Sequence, residues 1–193
     1  MLCSVGASDG PSLRKNKIES AKEKGSRTRF FVVSVEFVIS NFQNRGVVVV
    51  NKPIGFFDSG VGGVSVLRAA RRLMPEEDYL YFGDSANAPY GVKSPEAVQT
   101  LTLAAVAFLL DKGAKALVIA CNTATSAAIQ AVRERYPDLP VVGLEPAVKP
   151  AVERLAAEKV LVMATCGTLA GEKFRQLADA FEASAQIIPL PCP

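Results

Sequence analysis

From residue 53 onward, short apolar runs alternate with loops of small residues and with stretches whose apolar positions recur every three or four residues. The runs at 54–57, 79–82, 116–120, 141–143, 160–164 and 186–188 predict strands, and the periodic stretches predict helices over 63–73, 95–111, 124–136, 146–157 and 169–183. The helix at 95–111 is the clearest, with Ala97, Val98, Leu101, Ala104, Ala105, Phe108 and Leu109 forming one stripe at helical spacing. Strand and helix in alternation mark βα repeats on a parallel sheet, so the fold class is α/β. Ligands of such sheets bind beyond the carboxyl ends of the strands. The polar clusters fall there: Asp58-Ser59-Gly60 after the first run, Gly83-Asp84-Ser85 with Pro89-Tyr90-Gly91 after the second, Cys121-Asn122-Thr123 after the third, and Thr165-Cys166-Gly167-Thr168 after the fifth.

Residues 1–52 have a different pattern, a basic, Ser- and Lys-rich stretch followed by an apolar run over 30–39 that Glu36 interrupts. That run is too short to span a membrane. As a signal peptide it has too long a basic lead-in and no small-residue cleavage site. It reads instead as an extension, disordered or non-native, with initiation near the valines at 47–50.

Charge and composition narrow the chemistry. The net charge of +3 is mixed in sign and forms no basic stripe interleaved with aromatics, so nucleic acid is not an expected partner. The 193 residues contain no histidine, which removes the commonest general base, the Ser-His and Cys-His pairs, and any His-containing zinc site. Chemistry must then rest on Cys, Asp, Glu, Lys or Tyr. Cys3, Cys121, Cys166 and Cys192 lie far apart without CxxC spacing, as reduced thiols of a cytoplasmic protein do.

Cys121 follows an apolar strand and precedes residues suited to a helix start, where partial positive charge from backbone N–H groups favours a thiolate. A reactive thiol and a buried packing cysteine both fit this position. Asn122 and Thr123 can bind a carboxylate at the helix start or simply cap it. The segment Asp58-Ser59-Gly60-Val61-Gly62-Gly63 lacks both G-x-G-x-x-G spacing and a Walker A ending, which disfavours a nucleotide. Its acid could hold an ammonium group while the glycine amides approach a carboxylate; a tight turn capped by Asp58 or Ser59 fits equally well. In the long loop from Gly83 to Gly91, Tyr90 and the Gly91 amide could close over a small ligand, and a plain surface turn around Pro89 is the rival.

Taken in order, Ile54-Gly55-Phe56-Phe57-Asp58-Ser59-Gly60-Val61-Gly62-Gly63, Tyr81-Phe82-Gly83-Asp84 through Pro89-Tyr90-Gly91, and Val118-Ile119-Ala120-Cys121-Asn122-Thr123-Ala124 resemble the glutamate racemases of the aspartate/glutamate racemase family. The likeness spans about residues 53–193, and its Asp-Ser-Gly and Pro-Tyr-Gly elements set it apart from aspartate and hydantoin relatives. It implies cofactor-independent inversion of glutamate by two cysteines on opposite faces of the α-carbon, supplying D-glutamate for peptidoglycan. By the same resemblance Cys121 is the first acid/base and Asp58 orients the amino group or the thiol. Asp58, Ser59, Tyr90, Gly91, Asn122 and Thr123 bind substrate, and a homo-oligomer is left open.

The family's second thiol lies in a downstream Cys-Thr-His segment, after a Glu-containing stretch, and the 193 residues reach neither. Cys166 falls at a variable position of a Thr-x-Gly-Thr motif, and Cys192 in a Cys-Pro stretch that is not itself catalytic, so neither is expected to replace it. The resemblance therefore implies a first α/β domain over 53–147 without its returning C-terminal segment, and with an apolar sheet edge left open. An incomplete start of a second α/β domain follows over 148–193. A chain so divided turns over poorly or not at all; the alternative is a non-catalytic module that binds glutamate or a partner through the first-domain pocket.

Overall fold

The structure is a computed structural model that describes residues 2–5, 52–155 and 158–192. The apolar run at 30–39 lies outside the described residues. Two sheets organise the rest. The larger has five strands: β1 (Leu2–Val5), β2 (Ile54–Asp58), β3 (Tyr79–Gly83), β4 (Ala116–Ile119) and β5 (Val141–Gly143), in the order β1-β3-β2-β4-β5. All its pairings are parallel except β1 with β3. Its helices are α1 (Val64–Leu73), α2 (Pro95–Asp111) and α3 (Asn122–Arg135). Beyond them come α4 (Val148–Leu155), β6 (Lys159–Thr165), α5 (Cys166–Ala170), α6 (Glu172–Asp179) and β7 (Gln186–Cys192), with β6 and β7 forming a parallel two-stranded sheet.

Both faces of the larger sheet are covered, which is why β2 and β4 read as continuous apolar runs. Phe57, Leu117, Ile119 and Val141 pack with Val98, Leu109, Ile129 and Val132 of α2 and α3. On the opposite face Ile54, Phe56, Tyr79, Tyr81, Ala116 and Val118 pack with Val66 and Ala70 of α1. The two sets alternate along each strand, as the pleat requires.

Several elements differ from the pattern expected of the sequence. Leu2–Val5, inside the 1–52 extension, adds an antiparallel strand to β3, so the β3 side of the sheet is covered rather than bare. Helix α2 buries Val98, Thr102, Ala105, Val106 and Leu109, a face turned by about one residue from the expected stripe; Ala104 and Phe108 are exposed. The helix is apolar nearly all round, so periodicity alone could not choose between neighbouring faces. The single helix expected over 169–183 is two, α5 and α6, broken at Gly171. A Cβ there would sit 1.7 Å from Ser126 Oγ, so the chain bends where it crosses α3.

The smaller sheet packs Val162 with Val148, Val152, Phe174 and Ala185 on one face. Its other face exposes Leu161 and Met163, which stand opposite Ile188 and Leu190.

Gly55 in β2 marks a tight point of the main core, because a Cβ there would lie 2.7 Å from Leu117 Cδ2 and 3.2 Å from Ala114 Cβ. Gly55→Ala is expected to lower unfolding free energy by about 1–3 kcal/mol, read from the urea midpoint at constant m-value.

Candidate active site

The order β3-β2-β4-β5 puts β2 in the middle, with its own helix leading to β3 on one side while the chain from β4 leads to β5 on the other. The two outgoing connections diverge at the carboxyl ends of β2 and β4, which opens a crevice there. Asp58 ends β2, and Cys121 stands two residues beyond β4. Their backbones are tied by Ala120 N–H donating to Phe57 O at 2.7 Å.

Cys121 is the N-cap of α3 and is buried. Its Sγ accepts from Ala124 N–H at 3.4 Å and donates to Ser59 Oγ at 3.4 Å. The sulfur thus does what a Ser or Asp side chain does at most helix starts, and it faces the positive end of a helix 14 residues long. Once ionised, it would keep the Ala124 amide and accept from the Ser59 hydroxyl, so both neighbours serve the thiolate.

Asp58 is buried, and its Oδ2 accepts from Gly60 N–H at 3.1 Å and Gly63 N–H at 3.3 Å. This carboxylate ties the turn into α1. Gly63 is confined there, since a Cβ would lie 2.9 Å from both Ala120 Cβ and Asp58 Cβ. The Gly60 carbonyl accepts from the Tyr81 hydroxyl at 2.9 Å, so Gly60, the residue after Ser59, is held at both its amide and its carbonyl.

Tyr90 departs from a ligand-facing role. It is only 1% exposed, its hydroxyl donates to Asp84 Oδ2 at 2.7 Å, and its ring packs near Phe57. Asn87 Nδ2 donates to both Asp84 oxygens at 3.0 Å, and the Asp84 amide donates to Asp58 O at 3.0 Å, which joins the two loops. The side chain of Tyr90 therefore anchors the loop, and the following backbone is what remains to meet a ligand. Gly91 is pressed against the start of α5, where a Cβ would lie 2.5 Å from Thr165 Cγ2.

Asn122 opens α3 half-buried, and its side chain makes no hydrogen bond among the described residues. Thr123 is buried, and its hydroxyl meets Thr165 Oγ1 at 2.9 Å and Thr168 Oγ1 at 3.2 Å; those two are 3.0 Å apart. This closed triangle brings Thr165 and Thr168 to the site. Their three-residue spacing at a strand end is a helix-capping signal, and Thr165 Oγ1 does accept from Thr168 N–H. That they cap against Thr123 is a tertiary fact with no local signature.

Both phenols of the site ionise far less readily than ordinary tyrosine. Burial is the main cause for Tyr81, followed by the electrostatic influence of Asp58 and then of Cys121 beside it. For Tyr90 burial again leads, with the hydrogen bond to Asp84 and its charge next. Each remains a donor across the working pH range.

The sequence profile described as Asp/Glu/Hydantoin racemase matches residues 64–189. The chain belongs to this racemase family. It is 56% identical over 143 residues to a glutamate racemase of Clostridium perfringens strain SM101, and 59% identical over 143 residues to one of Clostridium botulinum strain Loch Maree. Each alignment covers 74% of this chain and 55% of the relative, so the chain spans about half the length of the curated relatives it matches. A crystal structure of a glutamate racemase isoform from Bacillus anthracis superposes with a TM-score of 0.67 at 34% identity, over 74% of this chain and 54% of that one. The Francisella tularensis glutamate racemase in complex with D-glutamate gives a TM-score of 0.64 at 32% identity, over 75% and 54%. The racemase family thus accounts for the α/β architecture found here.

Two outcomes follow from this geometry. Ser59→Ala removes a donor from the thiolate, and iodoacetamide alkylation of Cys121 at pH 7, read by peptide mass spectrometry, is expected to slow roughly tenfold. Tyr90→Phe strips Asp84 of its hydroxyl donor and should lower stability by about 1.5–3 kcal/mol in urea unfolding, the range for a hydrogen bond to a charged group.

Proposed function

We propose that this chain supplies the first proton-transferring half of a cofactor-independent glutamate racemase, with Cys121 as the acid/base. The observation that carries the reading is the setting of Cys121, capping α3, bonded to Ser59 and followed by the half-buried Asn122. Glutamate is the substrate named for the relatives and bound in the Francisella structure. The same proposal takes residues 53–147 as the first α/β domain and 148–193 as the opening of a second, a division supported by the separate cores of the two sheets. D-Glutamate made this way would feed peptidoglycan synthesis in the cytoplasm; among the described residues no helix is long and apolar enough to cross a membrane.

In this reading the α-carboxylate lies at the start of α3, where backbone N–H groups and the Asn122 and Thr123 side chains can meet it. Gly91 N–H closes from the opposite loop, while Asp58 and Ser59 take the ammonium group. The Cys121 thiolate removes the α-proton and becomes a thiol, and the pair left on carbon is stabilised by the neighbouring carboxylate and ammonium groups. Returning a proton from the same side restores the original enantiomer; inversion needs a second donor on the other face. Cys166 is exposed, and Cys192 donates to Leu190 O at 3.6 Å, so neither is drawn toward Cys121 by a bond.

Incubation with L- or D-glutamate in deuterated water tests this directly. Loss of the α-proton signal without inversion is expected, and Cys121→Ser should slow it about 100-fold or more. A chain that exchanges neither enantiomer does not carry the proposed chemistry, and exchange that survives in Cys121→Ser removes this thiol from it.

A further inference from the structure

We propose that Tyr81 is the positioning residue of the thiol: through the Gly60 carbonyl, its phenol holds Ser59 against Cys121 Sγ. The inference rests on the reading of Cys121 as the proton-transferring group, and it assigns a role to a side chain that touches neither the sulfur nor a ligand.

The chain of contacts is short. Tyr81 sits on β3 beside Phe56 of β2, with its ring on the α1 face of the sheet. Its ring edges stand against two glycines, since a Cβ on Gly63 or on Gly83 would each lie 3.2 Å from a ring carbon. The ring is therefore wedged, and the hydroxyl at its tip has one direction to point. It donates to Gly60 O at 2.9 Å. The same carbonyl is closed off from behind, because a Cβ on Gly83 would come within 2.3 Å of it. On the amide side of the residue, Gly60 N–H donates to Asp58 Oδ2. Gly60 is thus held at both its amide and its carbonyl, and Ser59 is the one residue between it and the end of β2. Ser59 Oγ reaches Cys121 Sγ at 3.4 Å only while this segment keeps its place.

A glycine-rich turn needs such a support. Gly60, Gly62 and Gly63 give the segment after Ser59 wide conformational freedom, and the cost of fixing it falls on the few bonds that reach it. A phenol suits the task because it donates without carrying charge beside Asp58 and the thiolate. Burial and those negative neighbours keep its proton on. A lysine at this point would pair with Asp58 and draw its carboxylate away from the turn.

The test reads the thiol directly, without substrate. In the full chain, iodoacetamide alkylation of Cys121 at pH 7 is compared among wild type, Tyr81→Phe, Ser59→Ala and the double variant, with Cys166 in the same samples as an internal reference. Tyr81→Phe is expected to slow Cys121 roughly three- to tenfold while Cys166 is unchanged, and the double variant should be no slower than Ser59→Ala alone, because both act on one contact. An unchanged or faster rate in Tyr81→Phe, or effects that multiply in the double variant, would overturn the proposal. If Tyr81→Phe does not fold, the wild-type chain still decides. The Tyr81 hydroxyl proton, held by Gly60 O, should exchange slowly with water in NMR of ring-labelled protein, and a rapidly exchanging hydroxyl would overturn it equally. The acid–base role is read separately by α-proton exchange of glutamate, so a Tyr81-dependent thiol in a chain without exchange leaves the positioning intact and removes the function.

Discussion

The parallel register of β2 on β4 is the constraint on which the site depends. Ile54 pairs with Ala116 and Phe57 with Ile119, so the two strands finish within one residue of each other, and Asp58-Ser59 and Cys121-Asn122 emerge side by side at their carboxyl ends. A slip of one residue would exchange the two faces of β4, sending Leu117 and Ile119 toward α1 and carrying the thiol to the other side of the sheet. Such a slip is blocked by packing rather than by hydrogen bonds. Leu117 fills the space that Gly55 leaves open, and Gly63 lets the start of α1 close on Ala120. The two glycines are thus as much a part of the site as the residues that face the crevice.

Around that register the polar groups follow one rule, in which acceptors that carry charge are met by neutral donors. Asp58 is met by the amides of Gly60 and Gly63, and Asp84 by Tyr90 and Asn87. Neither carboxylate has a lysine or arginine partner among the described residues, where the ion pairs lie elsewhere. Buried carboxylates held this way stay fixed in place while leaving room for a cationic ligand group to provide the missing charge. An ammonium group entering the crevice would meet an uncompensated acid, whereas an internal lysine would already have neutralised it.

How much of this could be read along the chain depends on whether each feature is local. Strand runs, their order and the polar residues at their ends are local patterns, and Asp58, Ser59, Cys121, Asn122 and Thr123 are all found at the carboxyl edge where such patterns place them. The role of Tyr90 was not legible, because nothing in Pro89-Tyr90-Gly91 shows that the ring turns inward to Asp84 and Phe57. Thr165 and Thr168 present a helix cap, and only folding reveals that Thr123, some forty residues earlier, completes the triangle. Helix α2 misled by one position because an apolar helix has no single face until its neighbours choose one, and the break at Gly171 follows from the nearness of Ser126 on a different helix.

In the acid/base role proposed for Cys121, its surroundings also bear on why sulfur suits this position. A base that must also serve as an acid in the reverse direction works best when neither protonation state is strongly trapped. A cation bonded to the sulfur would hold it ionised and make it a weak base. Among the described residues its partners are one amide and one hydroxyl, and the hydroxyl can accept from the thiol or donate to the thiolate by turning. Ser59 therefore stays bonded through both halves of a proton transfer, and no heavy atom has to move. The requirement is only that Ser59 remain at the same distance while the charge on sulfur comes and goes, and a rigid turn, pinned at Gly60 from both sides, meets that requirement in a segment whose glycines would otherwise let it drift.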